Sequence, residues 1–85
     1  MFNIYGKQGC SSCLQAKAFL ESQGIDYNYF MLGKDYELQK FMSFGVPHRT
    51  FPLITKVVKY DGIEMEEYIG GLVELKEVLA TKYSK

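Results

Sequence analysis

The sequence has no tryptophan, one histidine and two cysteines in 85 residues, and its formal net charge is zero. Each shortage excludes something. Two cysteines cannot build the multi-disulfide scaffold of a small secreted domain. With a single histidine, His48, they also fall short of the four ligands that a structural zinc site takes. Ten Lys and Arg residues balance ten Asp and Glu residues. No stripe of positive charge forms, which argues against nucleic acid as the main ligand. No apolar run approaches the roughly 20 residues needed to span a bilayer. The opening Met1-Phe2-Asn3-Ile4-Tyr5 has no basic segment leading into an apolar stretch, so the expected setting is the cytoplasm.

What remains is a chain that can fold. Hydrophobic residues make up 47% and aromatic residues 15%, with seven tyrosines and six phenylalanines supplying large side chains for one core. This composition is that of a globular chain rather than a disordered one. The length suits one domain, residues 1–85, which buries only roughly 60–65% of the surface its unfolded chain exposes.

The pattern along the chain alternates strands and helices. Phe2 to Tyr5 is short, aromatic and β-branched, and Gly6 ends it. A helix is expected from Cys10 or Ser11, with Ser11 and Ser12 in its first turn or capping it. Cys13, Ala16, Phe19, Leu20 and Gln23 follow helical spacing, and Gly24 is a stop. Asp26 to Leu32 reads as a second strand. Asp35 to Phe44 fits a second helix with Leu38, Phe41 and Met42 on its inner face. Val46 to Pro52 is a loop. Leu53 to Tyr60 and Ile63 to Ile69 flank Asp61-Gly62, a strong two-residue hairpin signal. Leu72 to Tyr83 is a final helix facing inward with Leu72, Leu75, Val78, Leu79 and Tyr83. The order is β-α-β-α-β-β-α, an α/β arrangement: the first βαβ unit implies a parallel strand pair and the hairpin an antiparallel one.

Cys10 and Cys13 fall between the first strand and the first helix, where a Cys-x-x-Cys pair reads as a redox motif. The thiolate is the nucleophile, and a free thiol with a pKa of about 8.5 is mostly protonated at neutral pH. The unpaired amides and dipole at a helix N-terminus favour an anion there. Cys10 is therefore expected to attack a substrate disulfide, and Cys13, one turn further in, to displace the reduced substrate. Lys7, three residues before, adds positive charge near the sulfur. Three other readings stand beside this one: an inert buried pair, half of a zinc site, or ligands of an iron–sulfur cluster bridging two subunits.

Three segments together carry a family resemblance: Tyr5-Gly6-Lys7-Gln8-Gly9-Cys10-Ser11-Ser12-Cys13, Thr50-Phe51-Pro52-Leu53-Ile54 and Tyr68-Ile69-Gly70-Gly71. In this order and spacing the chain resembles glutaredoxin over nearly its whole length. The resemblance implies a thioredoxin-like fold, with a four-stranded mixed sheet flanked by three helices. It implies that Pro52 is a cis-proline facing the cysteines; without it, a trans proline opening a strand would be the ordinary expectation. It also implies glutathione as co-substrate and no metal. Glutathione would be held by Lys7, Ser12, Phe51 and Pro52, and by Gly71 and Leu72 at the head of the last helix. Arg49 would offer a basic contact to its carboxylates; otherwise it is a solvated loop arginine. A simple strand-to-helix turn is the other reading of Gly70-Gly71. Tyr5 either flanks the site or packs at its strand end, and His48 either carries protons or is merely exposed.

The expected function is reduction of protein disulfides, a ribonucleotide reductase among them, by a monomer recycled by glutathione. The chain departs from the family pattern at Ser11-Ser12, where Pro-Tyr is usual. It departs again at Val73, where an acidic residue is common and Glu74 comes one later, and in a longer segment over 44–49. These departures leave two alternatives: a redoxin fed by thioredoxin reductase, and a redox-inactive binding domain on the same fold.

Overall fold

The computed structural model describes residues 1–43 and 51–83. The elements run β1 (Phe2–Gly6), α1 (Ser11–Ser22), β2 (Tyr27–Met31), α2 (Leu38–Met42), β3 (Leu53–Tyr60), β4 (Ile63–Gly70) and α3 (Leu72–Tyr83). The strands form one four-stranded sheet in the order β2-β1-β3-β4. β1 pairs parallel with β2, setting Ile4 against Tyr29, and antiparallel with β3, setting Tyr5 against Leu53. The mixed sheet and the element order are those expected of a thioredoxin-like fold.

The two faces of the sheet follow from strand alternation. Phe2 and Ile4 point to one face, where Ala16 and Leu20 of α1, Ile54 of β3, and Leu75 and Leu79 of α3 close the main core around them. Burying side chains of this size stabilises the fold by about 1.5–3 kcal/mol each. Asn3 and Tyr5 point to the other face, where Tyr5, Tyr36 and Leu53 make a smaller cluster with Phe30, Leu32 and Phe51 against it.

Helix α1 stops where the sequence places its stop. The Gly24 N–H donates to the Glu21 carbonyl (3.1 Å) and the Ile25 N–H to the Leu20 carbonyl (3.0 Å), satisfying carbonyls that the helix leaves open. Ile25 then packs back onto the core that holds Leu20. Asp61-Gly62 turns the β3–β4 hairpin with positive φ at both residues, 52° and 80°, the handedness that matches strand twist.

The second helix differs from expectation. It spans five residues, and Leu38 and Met42 are 51% and 70% exposed rather than inward. Asp35, expected at its start, lies in a turn, and its carboxylate accepts the Met31 N–H at 2.9 Å. Tyr36 takes the place on the sheet that the helix was expected to fill. It is buried, stands edge-on to the Tyr5 ring at 5.2 Å, and donates its hydroxyl to the Gly6 carbonyl at 2.9 Å. Strand β2 begins at Tyr27, one residue later than expected, and Leu32 beyond it makes only an isolated bridge to Tyr36. The loop expected over Val46 to Pro52 lies outside the described residues up to position 50.

Candidate functional site

One residue beyond the Tyr5–Leu53 pair, the two central strands leave the sheet side by side, β1 at Gly6 and the chain entering β3 at Pro52. Both site loops therefore hang on the most buried part of the molecule. From β1 the chain turns through Lys7-Gln8-Gly9 to Cys10, which is extended (φ −102°, ψ 106°) and is itself the N-cap of α1. The cap is the cysteine sulfur rather than a serine hydroxyl: the Cys13 N–H donates to Cys10 Sγ at 3.2 Å. Ser11 and Ser12 occupy the first turn, Ser11 exposed and Ser12 half-buried.

The two cysteines form a disulfide with their Cα atoms 5.3 Å apart. They are unequal. Cys10 is half-buried at the surface, while Cys13 is completely buried among the first residues of α1. An incoming thiol or disulfide thus meets Cys10 first. The helix amide that already donates to its sulfur is a group that would hold negative charge there once the bond is reduced.

On the facing loop the Phe51–Pro52 bond is cis, as the family resemblance implies, and Pro52 is buried. The Lys7 Nζ sits 5.1 Å from the centre of the Phe51 ring, so the cation expected near the cysteines is packed on the proline loop. The structure thus joins Lys7, Phe51 and Pro52 with the cysteine turn at one end of the sheet. Arg49 and His48 lie outside the described residues.

The glycine pair joins the end of β4 to α3. The Gly71 N–H donates to the carboxylate of Glu74 at 2.7 Å, so the chain's own acid takes the amide just ahead of α3. The Leu72 side chain is half-buried against the main core. Tyr5 belongs to the small cluster against which Phe51 of the proline loop packs. It is buried on the opposite sheet face, where its hydroxyl donates to Glu66 at 2.6 Å, and burial followed by that acid raises its pKa well above the ordinary value.

Two features escaped the sequence reading. One is Gly6, whose missing side chain is required: a Cβ there would lie 2.8 Å from the Tyr29 hydroxyl and 3.1 Å from Cys13 Sγ. The other is the Glu66 carboxylate, which collects Asn3, Tyr5 and Thr55 on the far face. Polar residues at same-face positions of otherwise apolar strands were the available signal for it. Among the described residues no group of three or more His, Cys, Asp or Glu side chains could hold a metal ion, and no helix is long and apolar enough to cross a membrane.

Comparison with known proteins agrees with this geometry. The glutaredoxin family model matches residues 3–61. Glutaredoxin 1 from Francisella tularensis, solved in complex with cacodylate, superposes with a TM-score of 0.70 at 25% sequence identity, covering 99% of this chain and 96% of that one. The thioredoxin-like protein BC3987 superposes with a TM-score of 0.62 at 21% identity over 93% of this chain and 99% of its own, a likeness of fold. No curated protein matches the sequence closely enough to count as a relative. With most of its length matched, a redox-type cysteine pair at the head of α1 and a cis-proline on the chain entering β3, the chain belongs to the glutaredoxin family and has the make-up of a thiol oxidoreductase.

Proposed function

We propose that the protein reduces disulfides by two-step dithiol exchange, with Cys10 as the attacking thiolate and Cys13 as the resolving thiol. In the first step the Cys10 thiolate attacks a substrate disulfide; a Cys10–substrate bond forms and one substrate sulfur leaves with the electron pair. In the second, Cys13 attacks Cys10 Sγ, the internal disulfide closes and the second substrate sulfur leaves. Glutathione, the family's co-substrate, then returns two electrons. Disulfide-bearing proteins are the substrate class, with ribonucleotide reductase among them, and the reading carries a reducing, cytoplasmic setting and a monomer with it.

The observation that carries this reading is the donation from the Cys13 N–H to Cys10 Sγ at 3.2 Å, with Cys10 reachable and Cys13 buried. Lys7 above Phe51, at the end of the sheet that carries the cysteine turn, supports substrate binding there, with the Phe51 backbone offering a short β-like pairing to an extended peptide. The test is a pair of variants. Cys10→Ser is expected to lose all disulfide reductase activity. Cys13→Ser is expected to keep the first step and accumulate a mixed disulfide on Cys10, visible by mass spectrometry. Full dithiol turnover by Cys10→Ser would overturn the assignment.

One observation favours a second reading for the electron source. With Glu74 on the Gly71 amide, a glutathione carboxylate would have to displace an acid to reach it. Recycling by thioredoxin reductase makes no such demand. Turnover with glutathione and its reductase, against turnover with thioredoxin reductase alone, separates the two.

A further inference from the structure

The gap over Gly6 is shared by two groups. The Tyr29 hydroxyl and Cys13 Sγ lie 2.8 Å and 3.1 Å from the point where a side chain on Gly6 would begin. Tyr29 comes from β2, whose register sets it beside Ile4 on the face that carries α1, and its ring packs against the main core. Two other titratable groups bear on this corner. Lys17 of α1 has its Nζ 5.8 Å from the centre of the Tyr29 ring, and the Tyr36 hydroxyl is engaged by the Gly6 carbonyl at 2.9 Å. The Tyr29 hydroxyl makes no hydrogen bond among the described residues. Burial raises its pKa, which keeps the proton on it at neutral pH.

The resolving step needs a donor at this place. Cys13 must ionise before it attacks, yet it is completely buried, and burial disfavours the charged form of a thiol. Its own amide is directed at Cys10 Sγ. A hydroxyl held against the same gap is the side-chain group positioned to receive the charge.

We propose that Tyr29 is a further catalytic residue, whose hydroxyl donates a hydrogen bond to the Cys13 thiolate and so speeds closure of the internal disulfide. The inference rests on the dithiol reading above. The Cys13 proton goes to solvent, the Cys10–Cys13 bond forms, the Cys10–substrate bond breaks, and the substrate leaves as a thiolate that solvent protonates. Tyr29 keeps its own proton throughout.

The test is Tyr29→Phe in the full chain, with Cys10 first loaded as a mixed disulfide with glutathione. Its decay, followed by rapid quenching and mass spectrometry, is expected to slow about tenfold or more, the scale of a lost charge-assisted hydrogen bond. In a Cys10→Ser background the Cys13 pKa, read from thiolate absorbance, is expected to rise by about one unit for the same loss. Alkylation of Cys10 in a Cys13→Ser background is expected to stay at its original rate. If Tyr29→Phe does not fold, a fluorotyrosine at position 29 keeps the shape and strengthens the donor, and the Cys13 pKa is expected to fall. An unchanged decay rate and an unchanged Cys13 pKa overturn the proposal. Full turnover by Cys10→Ser overturns the dithiol reading instead, so the two failures are distinct.

Discussion

Glu66 accepts three hydrogen bonds at a single oxygen, from Thr55 at 2.7 Å, Tyr5 at 2.6 Å and Asn3 at 3.0 Å, while the Lys40 Nζ lies 3.6 Å from its other oxygen. Burial alone would push this carboxyl up. The three donors and the lysine charge outweigh it, and the pKa falls below the ordinary glutamate value. A lowered folded pKa means that folding favours the carboxylate. Its stabilisation is fully present above the unfolded value of about 4.3 and shrinks as pH falls through the folded one. Urea unfolding of the wild type and Glu66→Gln is expected to show a stability gap at neutral pH that narrows over that acid range; a gap independent of pH would refute this. Glu66→Ala is expected to cost about 2–3 kcal/mol, because it leaves the buried Thr55 and Asn3 groups without their acceptor. At this scale the cysteines and Pro52 were legible, since their chemistry is written in local spacing and in the family resemblance. Glu66 and Tyr29 were not. Glu66 gains its role from strand register, which brings positions 3, 55 and 66 together, and Tyr29 gains its role from the packing of α1 on the sheet, which sets Cys13 against positions 6 and 29.

Elements announce themselves in sequence when their ends are chemically marked. Helix α1 has a turn before it and Gly24 after it, and the β3–β4 hairpin has Asp61-Gly62; both stand as read. The second helix has Asp35 as a start mark and Gly45 as an end mark in the sequence, but Asp35 serves a turn ahead of the helix, its carboxylate accepting the Met31 N–H. Its Leu38, Phe41 and Met42 periodicity indicated an apolar face without saying whether any surface was free to receive it, and Tyr36 already covers the neighbouring sheet. At the start of α3 the family resemblance implies a carboxylate site at Gly70-Gly71, and a simple strand-to-helix turn is the other reading. What the glycines admit is Glu74. At Gly70, φ is 132°, and a Cβ would lie 2.7 Å from Glu74 Cβ and Cγ. Gly70→Ala is therefore expected to lose about 2 kcal/mol or more, from backbone strain and the collision together. Glu74→Ala removes only an N-terminal cap, and about 1 kcal/mol is expected. Chemical unfolding of both variants checks the order; equal losses would mean that Glu74 does not explain the glycine.

Across the whole molecule, burial grades from the site end of the sheet to the hairpin tip. Residues 2–6 and 52–55 are buried, whereas Tyr60, Ile63 and Met65 are exposed at 60%, 64% and 53%. The cysteine turn departs from the end of β1 and the cis-proline loop enters the start of β3, so the reacting loops are carried by the strands with the most to lose on opening. Exchange chemistry at Cys10 can then make and break a bond without disturbing the scaffold. Amide hydrogen exchange reads this directly, since opening free energies range from near zero to that of global unfolding. Residues 2–6 and 53–55 are expected to exchange slowest in both redox forms, and residues 58–65 much faster by local opening. Reduction is expected to alter exchange chiefly at the amides of Cys13 and Leu14, which donate to the Cys10 sulfur and carbonyl at 3.2 Å and 3.3 Å. If reduction instead speeds exchange along β1 and β3, the disulfide is holding the sheet together, and the cysteine pair is a structural staple rather than a working one.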